Sequence, residues 1–224
     1  MIERPILMSG SMARATLRDI EPKTQTRRVV KPQPWPSARS GHYGRAVPSG
    51  SGGMHPASAI FSETLDRRPP WAASQPIKCP FGEPGDRLWV REALGFDHAN
   101  GAVTYAADGT VAKAIDPTYE PRRARPSIHM PRWASRITLE ITDIRVERVR
   151  DICWLDAIAE GVERFVTDDP ELQGMWRDYS EPGMASGNPI GSFMTLWNSL
   201  NAERGHGWRT NPWVWVIQFK RIAP

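Results

Sequence analysis

The sequence predicts an α+β domain, on three observations. Ile137, Leu139 and Ile141 alternate and then yield by one residue to Ile144 and Val146, the signature of one long strand, Arg136 to about Val149, bent by a β-bulge. Trp213 to Phe219 is apolar on both faces until Gln218, as in a strand covered from two sides. Phe193, Leu196, Trp197 and Leu200 stand at i, i+3, i+4 and i+7, the stripe of an amphipathic helix. Trp197 is expected to pack on the closing strand through Trp213, Trp215 or Ile217. With 224 residues, 40% of them apolar, the chain is long enough for a single domain, 1–224, with a real core.

The other elements follow in order. Ile6-Leu7-Met8 reads as a short strand, and Ser9 or Ser11 can cap a helix carrying Ala13, Leu17 and Ile20 on one face. Pro22 ends that helix, because the residue before a proline is pushed out of helical geometry. Thr24 to Val30 then runs extended. Residues 33–77 change to Pro, Gly, Ser and Ala, and predict a surface insertion pinned by Trp35, Phe61 and Trp71. Gly82 to Asp86 is a turn that starts the strand Arg87 to Glu92, and a hairpin follows with Ala102 to Tyr105 as its return strand. Asp151 can cap a helix through Trp154, Leu155, Ile158 and Val162, with Glu160 near its end. Residues 164–190, acidic and then Gly-rich, predict a second insertion.

Composition narrows the function classes. The net charge is +4, and only five of the 29 basic residues are lysines; the rest are arginines, which fork and stack on phosphates and bases. This excess permits a nucleoside or RNA partner without requiring one. Cys79 and Cys153 are too few for a disulfide framework or a Cys-based zinc site, which fits a reducing cytoplasm. The five histidines show no metal-ligand spacing, so neither a metal nor another cofactor is expected. The longest apolar run, Trp213 to Ile217, is far short of a membrane span, and Pro5 to Met8 is too short for a signal peptide. No membrane partner is expected, and the oligomeric state is not legible.

Chemistry concentrates in Lys23-Thr24-Gln25-Thr26-Arg27-Arg28, which puts a base, a hydroxyl nucleophile and two anion-binding forks in one reach of backbone. The same six residues also suit a solvated edge strand that touches phosphate. In a strict strand Lys23 and Thr26 face opposite sides, so they cooperate only if Lys23 lies in the turn after Pro22. Glu92 falls on the apolar face of its strand and therefore either pairs with an arginine or lines a pocket. His129, Arg132 and Trp133 offer base stacking and phosphate contact, or a structural tryptophan with solvated neighbours.

Five stretches in order carry a resemblance: Lys23 to Arg28, Gly85-Asp86-Arg87-Leu88-Trp89-Val90-Arg91-Glu92, Met130-Pro131-Arg132-Trp133-Ala134-Ser135-Arg136, Ala157-Ile158-Ala159-Glu160-Gly161, and Trp213 to Phe219. Together they resemble the ASCH domain, and the chain looks most like the longer members carried by phages and prophages. The resemblance implies a PUA-like fold, a small mixed β-barrel with flanking helices, here with long loop insertions. It also implies association with RNA. Small bacterial members include amidohydrolases that deacetylate N-acetylcytidine, and some others are ribonucleases. Carried over by position, the catalytic lysine, threonine and glutamate fall on Lys23, Thr26 and Glu160. Arg27, Arg28, Glu92, His129, Arg132 and Trp133 are then candidates for substrate binding. The glycine and basic residue that usually precede the lysine are Glu21 and Pro22 here. The expected activity is metal-free removal of an acyl group from a modified base. A non-catalytic RNA or modified-base module, or a ribonuclease using the same basic cleft, are the alternatives.

Overall fold

A computed structural model describes residues 1–33, 46–47, 58–61, 77–97, 102–112 and 125–222. Strand β1 (Glu3–Leu7) leads into helix α1 (Gly10–Leu17), whose first turn is capped by Ser9 Oγ accepting from Met12 N at 3.3 Å. Strand β2 (Gln25–Val29) follows the turn at Pro22. The first insertion contributes β3 (Ala46–Val47), β4 (Ser58–Phe61) and β5 (Ile77–Lys78), paired as a small separate sheet. Short β-prone runs pair at those points within the insertion. Gln33 is tied to the main sheet, its Nε2 donating to Trp213 O at 2.9 Å and its Oε1 accepting from Trp213 N at 2.8 Å. Trp35 and Trp71 lie outside the described residues, as does the Phe61 side chain.

Strand β6 (Arg87–Arg91) is followed by the hairpin β7 (Leu94–Asp97) and β8 (Ala102–Tyr105). The long strand β9 (Thr138–Arg148) pairs with both β6 and the closing strand β12 (Trp213–Ile222). Between them come α2 (Trp154–Ala159), the two-residue strands β10 (Trp176–Arg177) and β11 (Ala185–Ser186), and α3 (Pro189–Asn201). Asn188 caps α3 through Oδ1 to Gly191 N at 2.8 Å, and Pro189 fills the first helical position, where no donor is lost. No helix among the described residues is long and apolar enough to cross a membrane.

The main sheet has the order β1-β6-β9-β12-β2, parallel between β1 and β6 and antiparallel elsewhere. It is a mixed α+β architecture, and among the described residues the sheet is open, with β1 and β2 at its edges. The predicted bulge is present. Ile141 faces Phe219 and Asp143 faces Gln218, so Thr142 is the unpaired residue. That single extra residue returns Ile144 to the face already occupied by Leu139 and Ile141 in one core cluster.

Alternation along β12 divides the core. Trp213, Trp215, Ile217 and Phe219 face α1 and the apolar residues of β1, β6 and β9. Val214 and Val216 face α2 and α3, where Phe193, Leu196 and Trp197 pack. The expectation that Trp197 meets Trp213, Trp215 or Ile217 is therefore corrected: a helix carrying this much aromatic bulk docks on the valine side of the strand. Trp197 is 3% exposed, and its indole Nε1 donates to His206 O at 2.8 Å. Trp197→Phe keeps most of the packing and loses that bond, so urea unfolding should show a loss of about 1–2 kcal/mol. An unchanged midpoint would mean that the bond contributes nothing net.

Two local expectations also change. Helix α1 stops at Leu17, leaving Ile20 82% exposed. Asp151 caps a preceding 3-10 turn by accepting from Arg148 N, and the N-cap of α2 is Cys153, so Trp154 and Leu155 point to solvent. The second insertion is an anchored element: Trp176 is 1% exposed within the α3 core, and the Tyr179 hydroxyl accepts from Glu163 N at 3.0 Å.

Candidate functional site

The backbone around Lys23 is fixed from both sides. After α1 the chain reverses through Glu21, at φ 46°, and Lys23 N donates to Ala15 O at 2.9 Å while Thr24 N donates to Ala159 O at 2.9 Å. Lys23 thus sits in the turn between α1 and β2, against the end of α2. Gly161 follows that helix at φ +84°, where a Cβ would stand 2.8 Å from Ala15 Cβ and 2.9 Å from Lys23 Cβ. Only glycine accepts both the left-handed backbone and the close approach of the lysine.

The Lys23 side chain is fully buried, and its Nζ donates to Glu160 O at 2.5 Å and to Glu160 Oε2 at 3.0 Å. The other carboxylate oxygen of Glu160 accepts from Arg27 Nη1 at 3.2 Å. Arg27, also buried, reaches Asp156 Oδ2 at 2.9 Å and Glu147 Oε2 at 3.0 Å through Nη2. Arg145 meets the same Asp156 oxygen at 2.9 Å and pairs with Glu147. With its amide oxygen turned toward Arg27, Gln25 accepts from Nη1 at 2.6 Å and donates to Asp156 Oδ1 at 3.2 Å. Sheet register explains the cluster. Arg27 and Arg145 both lie opposite Val216, on its two flanking strands, so the small valine leaves room for carboxylates between the guanidinium groups. Asp156 and Glu160 stand one turn apart on one side of α2.

Burial holds the Lys23 ammonium below its ordinary pKa; the Glu160 carboxylate opposes the shift, and Arg28 and Arg27 add to it. Burial also lowers Arg28. At Asp156 burial works upward, but Arg27 and Arg145 together outweigh it, leaving the carboxyl below the usual range.

Thr26 is 1% exposed and opposite Ile217, on the face away from Arg27. Among the described residues, Lys23 makes its bonds to Glu160 and none to the Thr26 hydroxyl. A groove of about 620 Å³ runs along the free edge of β2. Arg27, Arg28, Val29, Lys31 and Glu160 line it, together with Phe81, Ile128 and residues of α3. Lys23 and Thr26 are not among the residues that line it. Arg28 Nη2 donates to Leu7 O at 2.6 Å.

The remaining candidates are placed elsewhere. Glu92, 1% exposed, takes the pairing alternative: Arg136 Nε and Nη2 each meet it at 2.9 Å, and Arg136 lies 3.8 Å from the Tyr105 ring centroid. Arg132 forms a fork with Glu3 at 2.9 and 2.7 Å. Trp133 packs on the cluster of Leu94, Tyr105 and Met130, the structural alternative. His129 is exposed and outside the groove lining, although Ser127 and Ile128 beside it belong to that lining. Glu92 and Trp133 belong to the small core the chain builds around the hairpin after β6, whereas Arg132 lies against Glu3 and Trp89 of the main sheet. Asp156, Glu147 and Arg145 were not singled out in the sequence. Their only signals there are the spacing of Asp156 to Glu160 and the shared strand face of Arg145 and Glu147. Among the described residues no group of three His, Cys, Asp or Glu is placed to hold a metal ion.

No family model, curated protein or solved structure matches the chain.

Proposed function

We propose that the protein is an ASCH-type amidohydrolase of PUA-like fold that removes an acyl group from a modified base, in a nucleoside or in RNA. One observation carries this reading: a fully buried lysine of lowered pKa is held on Glu160, which is among the residues lining the groove. A structural ion pair needs no such opening, whereas a base must be both shielded and reachable from the substrate. A reader that offers Lys23 to phosphate would need that ammonium exposed.

In this reading the acyl group enters beside Glu160, and the edge strand β2 shifts as it binds. The shift brings the Thr26 hydroxyl from the opposite face to the acyl carbon, with Lys23 exchanging its carboxylate for that hydroxyl. The Thr26 oxygen bonds to the acyl carbon, its proton passes to the Lys23 amine, and the carbon–nitrogen bond breaks. The leaving amine takes that proton, relayed by Lys23 or Glu160. Water then splits the threonyl ester, restoring the hydroxyl and releasing the carboxylic acid. Arg27 holds Glu160 in place, which adds a positioning role to its candidacy as a binding residue lining the groove.

The test is product analysis after incubating the protein with N-acetylcytidine and with short RNAs. Deacylated nucleoside and acetate are expected, while shortened RNA would turn the reading to the ribonuclease. Thr26→Val is nearly isosteric within a buried strand, so it should melt with the parent yet lose about 10²–10⁴-fold in rate. An undiminished rate in Thr26→Val would remove the threonine from the mechanism.

A further inference from the structure

We infer that the groove beside β2 carries a phosphate subsite formed by Arg28, Lys31 and Arg204, so that its ligand is a nucleotide, free or within a strand, in preference to a bare nucleoside. The inference rests on the reading above for the nucleoside part and is independent of it for the phosphate.

The charge balance of the lining leads here. Glu160 is the one carboxylate among the lining residues, and Lys23 and Arg27 already take both of its oxygens. Arg27 is in turn neutralised by Asp156 and Glu147, which stand outside the groove. Arg28, Lys31 and Arg204 remain as three cations lining one groove, and none of them forms an ion pair among the described residues. Arg204 stands just beyond the C-terminal end of α3 and is partly offset by that helix's negative pole, leaving Arg28 and Lys31 with most of the net charge. A second observation points the same way. Among the described residues, four guanidinium Nε atoms are buried without a partner, and those of Arg27 and Arg28 belong to groove-lining residues. Buried donors left unpaired are rare and call for an acceptor.

Phosphate supplies what this lining asks for: oxygens that only accept, facing side chains that only donate, with up to two negative charges. A nucleoside alone leaves the three cations unanswered. Phe81 and the half-exposed Ile128 belong to the same lining and offer an apolar surface on which a base can lie while its phosphate meets Arg28.

The experiment is calorimetric titration of the full chain with cytidine, cytidine 5′-monophosphate and the trinucleotide CpCpC at low and moderate salt. At least one phosphate-bearing ligand should bind about tenfold tighter than cytidine, with an advantage that shrinks as salt rises. A gain already present in the monophosphate identifies a monoester site, and a gain confined to the trinucleotide identifies a strand. Lys31→Gln and Arg204→Gln should each reduce the advantage severalfold. Equal affinity for all three ligands, or no binding of any, overturns the subsite, as would an advantage untouched by both variants. A phosphate advantage without any deacylation would refute the amidohydrolase and leave the subsite standing. Deacylation without the advantage would do the reverse.

Discussion

Lys23→Met is expected to lower amide hydrolysis by about 10²–10⁴-fold, the usual contribution of a positioned base, while the fold survives. Methionine matches the length and volume of lysine, so the packing against Ala15 and Gly161 is kept. Glu160 retains Arg27 as a partner. Lys23→Arg is the poorer probe, because a guanidinium is larger than the fully buried space an ammonium occupies. A pH series adds a second readout. Only the neutral amine can act as a base, so the parent rate should rise with pH through the lowered pKa of Lys23, and that limb should vanish in Lys23→Met. Stability follows the same group. Between its lowered folded pKa and its unfolded value of about 10.4, the unfolded chain binds the extra proton, so the parent gains stability as pH rises across that window. The variant should lack this gain. Hydrolysis that persists at the parent rate would dismiss Lys23 as the base, even in a true amidohydrolase.

What the sequence shows of this molecule is what neighbouring residues decide. The bulge at Thr142 is visible because a one-residue slip in alternation has a single structural meaning. Helix α3 is visible because four large apolar residues share one stripe, and the turn at Lys23 because Pro22 precludes helix. The side of β12 that receives Trp197 was not visible, since both faces are apolar and only the placement of α1 and α3 separates them. Glu92 could be read as paired or as pocket, but its partner Arg136 lies 44 positions away and is brought in by the hairpin core. The site divides along the same line. Lys23, Thr26 and Arg27 fall within five residues of the sequence, whereas the carboxylates around Arg27 come from β9 and α2, and it takes the register at Val216 to assemble them. The groove is the least legible feature, because it exists only where β2 is left as an edge with α3 standing over it.

Arg27→Leu should be the most damaging single change in the cluster, costing about 2–4 kcal/mol at neutral pH. The figure lies slightly below the range for breaking a fully buried pair, because solvent partly reaches Glu147 and Asp156. Leucine fills the space beside Phe193, over whose ring the guanidinium carbon stands 5.8 Å from the centroid, so the loss is chiefly electrostatic. Its pH dependence identifies it. In the parent, Asp156 is held below its ordinary pKa despite burial, so it contributes stability above the unfolded value of about 3.9 that is lost as pH falls through the folded pKa. Without Arg27, burial is opposed by Arg145 alone and the Asp156 pKa rises. The variant's deficit should therefore narrow on acidification from pH 7 toward 4, as its carboxyl takes up a proton that the parent's does not. Asp156→Asn in the Arg27→Leu background should recover part of the loss by removing the charge that lost its partner. A deficit that stays constant across that pH range would assign the damage to packing, and Arg27 would no longer be the residue that positions Glu160 through charge.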